Sequence, residues 1–185
     1  MNNKPDLINT ANQTGDTLLH EASRLGNIPI TKLLLHNNAD PTIKNGERWT
    51  ALHYAVVNGF ADICEQLLLF NSDINQKNSV GLNSFHLAAF TGHYSIVDFF
   101  FGFNSVDINE LADSGWTALH LAASENHGKV VQLLLDNSAN PNSFKLPHGT
   151  PLHLAARKDF WQTVMVLLNA GANPAMKGFP FFLVK

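Results

Sequence analysis

The sequence predicts an all-α solenoid of five helix-turn-helix pairs that are joined by short β-hairpin-like turns. Three observations indicate this fold: a ten-residue phrase recurs five times, an apolar run follows each copy by about a dozen residues, and a polar turn closes each unit. The phrase histidines recur at nearly constant intervals and are His20, His53, His86, His120 and His153. Their spacings are 33, 33, 34 and 33 residues. Self-similarity at a period of this length is the signature of a repeat array.

The phrase, for example "GWTALHLAAS" from Gly115, has the features of a helix start. A threonine precedes the apolar residues and suits the N-cap, where its side-chain oxygen accepts from a helix N–H that lacks a partner. The four such threonines are Thr17, Thr50, Thr117 and Thr150. Pro151 then occupies the first helical position, where its missing N–H costs nothing.

The first helix of each unit is expected to stop at a residue that tolerates left-handed backbone. This position holds Gly26, Gly59 and Gly92 in the first three units, Asn126 in the fourth and Asp159 in the fifth. A second helix carries the apolar run, such as "VVQLLLDN" from Val130. Helices this short are marginal alone, so stacking on neighbouring units must stabilise them.

The third unit departs from the pattern. It has one extra residue in its turn, around 104–106, and its second helix carries Phe99, Phe100 and Phe101. The predicted organisation is an extension at 1–11, repeats at 12–44, 45–77, 78–111, 112–144 and 145–177, and an apolar tail at 178–185.

These features resemble the ankyrin-repeat family. The period of about 33 residues agrees, and the family phrase Thr-Pro-Leu-His-x-Ala is complete at 150–155. The resemblance covers about residues 12–177 and implies a rigid surface that holds a partner protein. It also implies that the phrase histidines are structural, half-buried and hydrogen-bonded to nearby turn backbone.

Composition and motifs argue against several other functions. The net charge is −3 and no block of basic residues is present, so nucleic-acid binding is not expected. Equivalent histidines of stacked helices lie about 10 Å apart, too far to share a zinc ion. We find no phosphate loop, nucleophile elbow or apolar span, and expect a non-enzymatic, monomeric protein without cofactor or metal and with no membrane partner. The single cysteine, Cys64, aligns with valines and is expected to be a buried apolar residue.

Large apolar residues stand immediately before the cap position in the three central units, at Trp49, Leu82 and Trp116. In the ankyrin fold this position lies at the edge of the concave face, so the three residues are candidate anchors for a partner. The alternative is that they cover the hairpins and pack on each other. The other candidate partner-binding residues, near the ends of the first helices, are Arg24, Val57, Asn58, Phe90, Glu125, Arg157 and Lys158.

The sequence therefore predicts a protein-interaction module of the cytoplasm. The alternative is a recruiting domain of a longer enzyme, or of a bacterial effector delivered into a host cell, a setting in which ankyrin repeats and Asn- and Lys-rich composition are frequent. Two local features carry further expectations. Arg48 stands where the family prefers glycine, so that hairpin tip is expected to be reshaped. The tail residues Phe179, Phe181, Phe182 and Leu183 are expected to cover the fifth helix pair.

Overall fold

A computed structural model describes residues 7–103 and 106–176 of the chain. Within these ranges a short 3-10 turn, Leu7–Asn9, precedes ten α-helices. They are α1 (Leu18–Arg24), α2 (Ile28–His36), α3 (Ala51–Val57), α4 (Ala61–Leu69), α5 (Ser84–Thr91), α6 (Tyr94–Phe100), α7 (Ala118–Ser124), α8 (Gly128–Asp136), α9 (Pro151–Arg157) and α10 (Trp161–Asn169). The prediction of five helix pairs is confirmed. In the described residues the hairpins contain no strand, and a single antiparallel bridge joins Lys145 to Gly149.

The chain divides into two compact parts within α5, between Leu87 and Ala88. From here on, the first unit and the second unit mean these two parts, and a single helix pair with its hairpin is called a repeat. In the first unit α1 packs on α2 and α3, and α4 packs on α2 and α3. Their contacts bury Leu19, Leu52, Ile63 and Leu67 almost completely. Full burial of one such side chain contributes about 1.5–3 kcal/mol, so these short helices are stabilised by stacking.

The second unit repeats this arrangement. Its first helices α7 and α9 pack together, and its second helices α6, α8 and α10 pack in succession, α6 on α8 and α8 on α10. The buried side chains include Phe100, Leu119, Leu134 and Leu154. Phe100 belongs to the phenylalanine run that distinguishes the third repeat, and its ring is fully buried.

The predicted N-cap positions are confirmed, and two of the four threonines make the predicted side-chain bond. Thr17, Thr50, Thr117 and Thr150 are N-caps in extended conformation. The Thr50 and Thr117 hydroxyls accept from the backbone N–H of His53 and His120 at 3.4 and 3.3 Å. α9 begins at Pro151, whose missing N–H costs nothing there. Helix capping was therefore readable from the sequence.

The first helices end at residues with positive φ, as predicted, including Asn126 and Asp159. Gly26 and Gly92 serve a second purpose. A Cβ on Gly26 would meet the Phe60 ring at 2.7 Å, and one on Gly92 would meet the His127 ring at 2.4 Å. Glycine thus lets an aromatic ring of the next repeat pack directly against the backbone at each turn.

Arg48 differs from the expectation. Its hairpin keeps the shape of the others: the Arg48 N–H donates to the Asn45 carbonyl at 2.9 Å, just as Gly81 N–H donates to Asn78 at 3.0 Å. Arg48 adopts the left-handed conformation, with φ of 58°, that glycines adopt elsewhere. The turn is therefore not reshaped, because the arginine takes up the strained backbone.

Cys64 is fully buried, as predicted, and burial raises the pKa of its thiol to about 12. The thiol is therefore protonated near neutral pH and serves as core. Two other expectations, the extra turn residue at 104–106 and the capping role of 178–185, lie wholly or partly outside the described residues.

Candidate interaction site

The phrase histidines hydrogen-bond to turn backbone, and His20 and His120 reach the following repeat. In four copies the backbone N–H of the cap threonine donates to histidine Nδ1, at 2.9 Å between Thr50 and His53. Nε2 then carries the proton. It donates to a downstream carbonyl, from His20 to Trp49 at 3.0 Å, from His53 to Gln76 at 2.9 Å and from His120 to Gly149 at 3.3 Å. The predicted structural role is confirmed.

The predicted half-burial is confirmed for His153 but was wrong for the other four phrase histidines. His20, His53, His86 and His120 are almost completely buried, whereas the sequence suggested half-burial. Burial lowers the pKa of His53 and of His120 to about 4, and burial also lowers the pKa of His20. Nearby positive charge adds to the effect, from Lys44 at His53 and from His148 and Lys145 at His120. The rings are neutral scaffold at neutral pH.

Trp49 is half-buried at the base of the second hairpin in the first unit. Its ring packs against Tyr54 with centroids 5.1 Å apart and against His53 at 5.8 Å. Both partners lie on α3, immediately after the cap, so the ring is fixed by its own repeat. A rigid, half-exposed tryptophan is the side-chain type that anchors protein interfaces.

Asn45 organises the hairpin below Trp49. Its Oδ1 accepts from the backbone N–H of Glu47 at 3.1 Å and of Trp49 at 2.9 Å. Its Nδ2 donates to Asp16 Oδ1 at 2.7 Å and to the Tyr54 hydroxyl at 2.9 Å. Although partial burial raises the pKa of Asp16, hydrogen bonds from Asn45 and Thr14 outweigh it and leave that pKa below its ordinary value. A carboxylate therefore lies beside the Trp49 hairpin.

Trp116 occupies the equivalent position in the second unit and is also half-buried. Its ring packs on His120 with centroids 5.8 Å apart and on His148 at 5.2 Å. His148 belongs to the following hairpin, so this tryptophan bridges two repeats. The residue at the Asn45 position is Ala112, which has no side-chain oxygen to receive the hairpin amides.

The other predicted anchors lie at different depths. Phe90, at the end of α5, is 41% exposed, which agrees with the expectation of an apolar residue facing solvent. Leu82 and Val57 are half-buried, and Asn58 is exposed with its amide donating to the Tyr54 carbonyl at 2.9 Å. These side chains therefore leave apolar surface accessible at hairpins and helix ends.

The predicted polar rim is partly held by the protein itself. Arg24 pairs with Glu21 on the same helix. Lys158 donates to the Ser124 carbonyl at 2.6 Å and to Glu125 Oε1 at 3.3 Å, which ties the fifth repeat to the fourth. Arg157 is exposed. Lys158 and Glu125 thus have a structural contact that the sequence reading did not foresee.

Two contributors to the site were missed from the sequence. Tyr54 follows the phrase histidine at a position that holds leucine in the third, fourth and fifth repeats, so its departure was the available signal. The asparagines at the start of the hairpins, Asn12, Asn45 and Asn78, recur once in each of the first three repeats. That period was visible, but asparagine is so abundant throughout this chain that the pattern was not singled out.

Within the described ranges, no three His, Cys, Asp or Glu side chains converge as metal ligands would. The helices of the same ranges are all too short or too polar to cross a bilayer.

Within each compact unit, successive helix pairs stack on one another, which is the architecture of a repeat protein. Residues 2–78 and 85–177 match the family description "Ankyrin repeats (3 copies)". The chain belongs to the ankyrin-repeat family, whose repeats are protein–protein interaction modules and are generally non-catalytic.

Curated relatives include larger proteins. The chain is similar to an E3 ubiquitin-protein ligase, XBAT33, of Arabidopsis thaliana, with 31% identity over 146 residues, 77% of this chain and 27% of the ligase. It is also similar to a transient receptor potential cation channel subfamily A member 1 homolog of Caenorhabditis elegans, with 30% identity over 130 residues, 70% of this chain and 11% of the channel. A human Notch-regulated ankyrin repeat-containing protein is 38% identical over 56 residues, 30% of this chain and 49% of that protein. The chain thus spans at most half of each of these relatives.

Proposed function

We propose that this chain binds a partner protein through its tryptophan hairpins and the adjoining ends of its first helices. The observation that carries the proposal is the repeated placement of a half-exposed tryptophan, Trp49 in one unit and Trp116 in the other, at the same hairpin position. Each ring is held by neighbouring rings, so binding costs little side-chain entropy.

The neighbouring side chains support this assignment. In the first unit Leu82 and Val57 add accessible apolar surface, and Arg24 and Asn58 supply polar groups. In the second unit Phe90 adds accessible apolar surface, and Glu125, Arg157 and Lys158 supply charged groups. Aromatic anchors surrounded by polar residues are the usual composition of a protein-binding hot spot. The polar residues are expected to affect the on-rate and salt dependence more than the affinity.

The test is a double variant, Trp49→Ala with Trp116→Ala, compared with Trp161→Ala. Trp161 is 70% exposed on α10, so its loss controls for the removal of a surface tryptophan. Loss of one such anchor typically weakens binding about thirtyfold, or by about 2 kcal/mol, so a partner captured by the wild-type chain should bind the double variant at least that much more weakly in calorimetry. Trp161→Ala should bind normally.

Circular dichroism must first show that the double variant keeps its helical content. If the folded double variant then binds the partner with wild-type affinity, the anchor assignment is wrong. In that case the second helices or the hairpin tips carry the binding surface.

A second candidate is that the chain is the recruiting part of a larger protein. The observation that favours it is the similarity to a ligase of which the chain covers 27%. Immunoblotting of the native protein with an antibody to the repeats tests this: a band well above 20.4 kDa supports it, and a band at 20.4 kDa contradicts it.

A further inference from the structure

The last helix pair carries an apolar cavity of about 270 Å³. Its lining residues are Leu152, His153, Ala156, Val164, Leu168 and Pro174. Val164 is half-buried here, whereas its equivalents in the other repeats, such as Val131 and Cys64, are fully buried. The cavity is therefore the face that another repeat would cover.

The same face of α10 extends beyond the cavity. Trp161, Val164, Met165 and Leu168 follow the spacing i, i+3, i+4, i+7 and form one apolar stripe. Trp161 is 70% exposed and Met165 is 51% exposed. In α8 the positions of Trp161 and Met165 hold Gly128 and Gln132, so the enlarged apolar surface is particular to the last repeat.

His153 has a hydrogen-bond donor beside this cavity. As in His20, His53 and His120, its Nδ1 accepts from the cap threonine, here Thr150 at 3.3 Å, so Nε2 carries the proton. His20 and His120 each use Nε2 to reach a carbonyl 29 residues downstream, and His53 reaches one 23 residues downstream. For His153, no acceptor for Nε2 lies among the described residues, and the equivalent downstream residue is Phe182, outside them.

The turn after α10 holds the chain in the same register as the preceding turn. The Asn173 N–H donates to Asn142 Oδ1 at 2.7 Å, as the Asn140 N–H donates to Asn109 Oδ1 at 2.9 Å. The Ala175 N–H then donates to Asn173 Oδ1 at 2.9 Å, which repeats the bond from Asn142 to Asn140. The backbone is therefore positioned through Ala175 as if a further hairpin followed.

The sequence after this turn shares one residue type, a proline, with the preceding hairpin. A shift by one repeat places Pro180 on Pro147 and Phe182 on Gly149, whose carbonyl accepts from His120. The segment 177–185 can extend about 30 Å from the cavity edge at Pro174, which is ample to cross the face of one helix pair. Its large apolar side chains include Phe179, Phe181, Phe182 and Leu183.

We propose that the segment 177–185 docks on α9 and α10 as a sixth inter-repeat hairpin. In this arrangement the Phe182 carbonyl accepts from His153 Nε2, and the phenylalanine side chains cover the cavity and the α10 stripe. Burial of this apolar area offsets the ordering of the segment. The docked segment would cover this face of α9 and α10 and leave the hairpins and first helices as the surface for a partner protein.

The test uses the full chain and a triple variant, Phe179→Ser with Phe181→Ser and Phe182→Ser. The control is Phe144→Ser, which removes a phenylalanine that is 41% exposed in the preceding turn. In the wild-type chain, NMR should show contacts from the tail rings to the methyl groups of Val164 and Leu168. It should also show a slowly exchanging proton on His153 Nε2.

The triple variant should lose the slow Nε2 proton and lower the melting temperature by several degrees, while Phe144→Ser keeps the proton. Acrylamide quenching of Trp161, measured in chains with Trp49→Phe and Trp116→Phe, should increase at least twofold in the triple variant. Absence of tail contacts in the wild-type chain overturns the proposal. So does a mixed-label sample in which the contacts are found only between two copies of the chain.

Discussion

The two tryptophan hairpins differ in how they are held. Trp49 rests on Tyr54 of its own repeat, above the hydrogen bonds of Asn45 with Asp16. Trp116 rests on His148 of the following repeat, and its hairpin has Ala112 in place of the asparagine. Trp49 is therefore supported by a ring of its own repeat, in a hairpin that Asn45 ties to the first repeat through Asp16, whereas Trp116 is supported by a ring that the next repeat supplies.

This difference shows how a repeat array varies its surface while keeping its scaffold. The cap threonine and phrase histidine have nearly the same geometry in both units, with Nδ1 accepting from the threonine N–H at 2.9 Å in one and 3.3 Å in the other. The variable residues lie on the hairpin, beside these recurring contacts but outside them. A partner would meet a carboxylate near Trp49 and an imidazole near Trp116, so the two anchors offer different chemistry.

The largest expected effect is the loss of folding stability at low pH. The unfolded chain binds a proton on each histidine near pH 6.5, whereas folded His53 and His120 do so only near pH 4. Stability is thus full above pH 6.5 and falls as the pH drops toward 4, by about 3 kcal/mol for each histidine. The first unit should lose more, because the pKa of His20 is also lowered there.

Hydrogen exchange followed by NMR at pH 7 and pH 4.5 measures this loss for each unit. His53→Gln and His120→Gln remove one titrating group each and should flatten the pH dependence of the unit that carries the change. Equal protection at the two pH values, after correction for intrinsic exchange, would contradict the prediction.

The next largest effect on stability is expected when Asn45 and Ala112, the equivalent residues of the two tryptophan hairpins, are each replaced by the other's residue type. Asn45→Ala removes an acceptor for two backbone N–H groups and a donor to Asp16 and Tyr54, so we expect a loss of about 1–3 kcal/mol in urea unfolding. Ala112→Asn supplies the missing acceptor to the Trp116 hairpin and should stabilise the chain by about 1 kcal/mol.

The two changes should also act on the tryptophans in opposite directions. Asn45→Ala should increase the acrylamide quenching of Trp49, and Ala112→Asn should decrease that of Trp116, each measured with the other tryptophans replaced by phenylalanine. If Ala112→Asn destabilises the chain, the buried alanine site lacks room for the amide and the two hairpins differ in backbone as well as sequence.

Periodicity explains why most of the scaffold could be predicted from sequence. The histidine at the His53 position recurs in all five repeats, the threonine at the Thr50 position in four and the glycine at the Gly59 position in three, so their local roles transfer from copy to copy. The depth of burial of His53 could not be predicted, because it depends on the stacking of a neighbour. The pairing of Lys158 with Glu125 was missed for the same reason, since it joins residues of two different repeats.

The surface was harder to predict than the scaffold. The sequence placed Trp49 and Trp116 at one position but could not show that Tyr54 supports one and His148 the other. Those contacts depend on which way each ring turns, and the period carries no information about that. Arg48 is a similar case: the substitution was visible, but only the backbone shows that the turn persists with φ of 58°.

The smallest expected effect tests whether that strain serves the interaction. Left-handed backbone costs a residue with a Cβ about 1–2 kcal/mol, and the greater freedom of glycine in the unfolded chain offsets about 0.4–1 kcal/mol of this. Arg48→Gly should therefore stabilise the chain by roughly 0.5–1 kcal/mol. Gly115→Arg should destabilise the Trp116 hairpin by a similar amount, since a Cβ there meets only the flexible Lys145 side chain at 3.0 Å.

Measurements of partner binding test whether the left-handed backbone of Arg48 serves the interaction. Arg48 is exposed beside Trp49, and residues held in strained backbone occur most often where a site needs them. If Arg48 contacts the partner, Arg48→Gly stabilises the chain in urea unfolding and weakens partner binding. Gly115→Arg should then not strengthen partner binding. If Arg48→Gly stabilises the chain and leaves affinity unchanged, Arg48 has no role in the interaction, and the two hairpins differ only in how their tryptophans are supported.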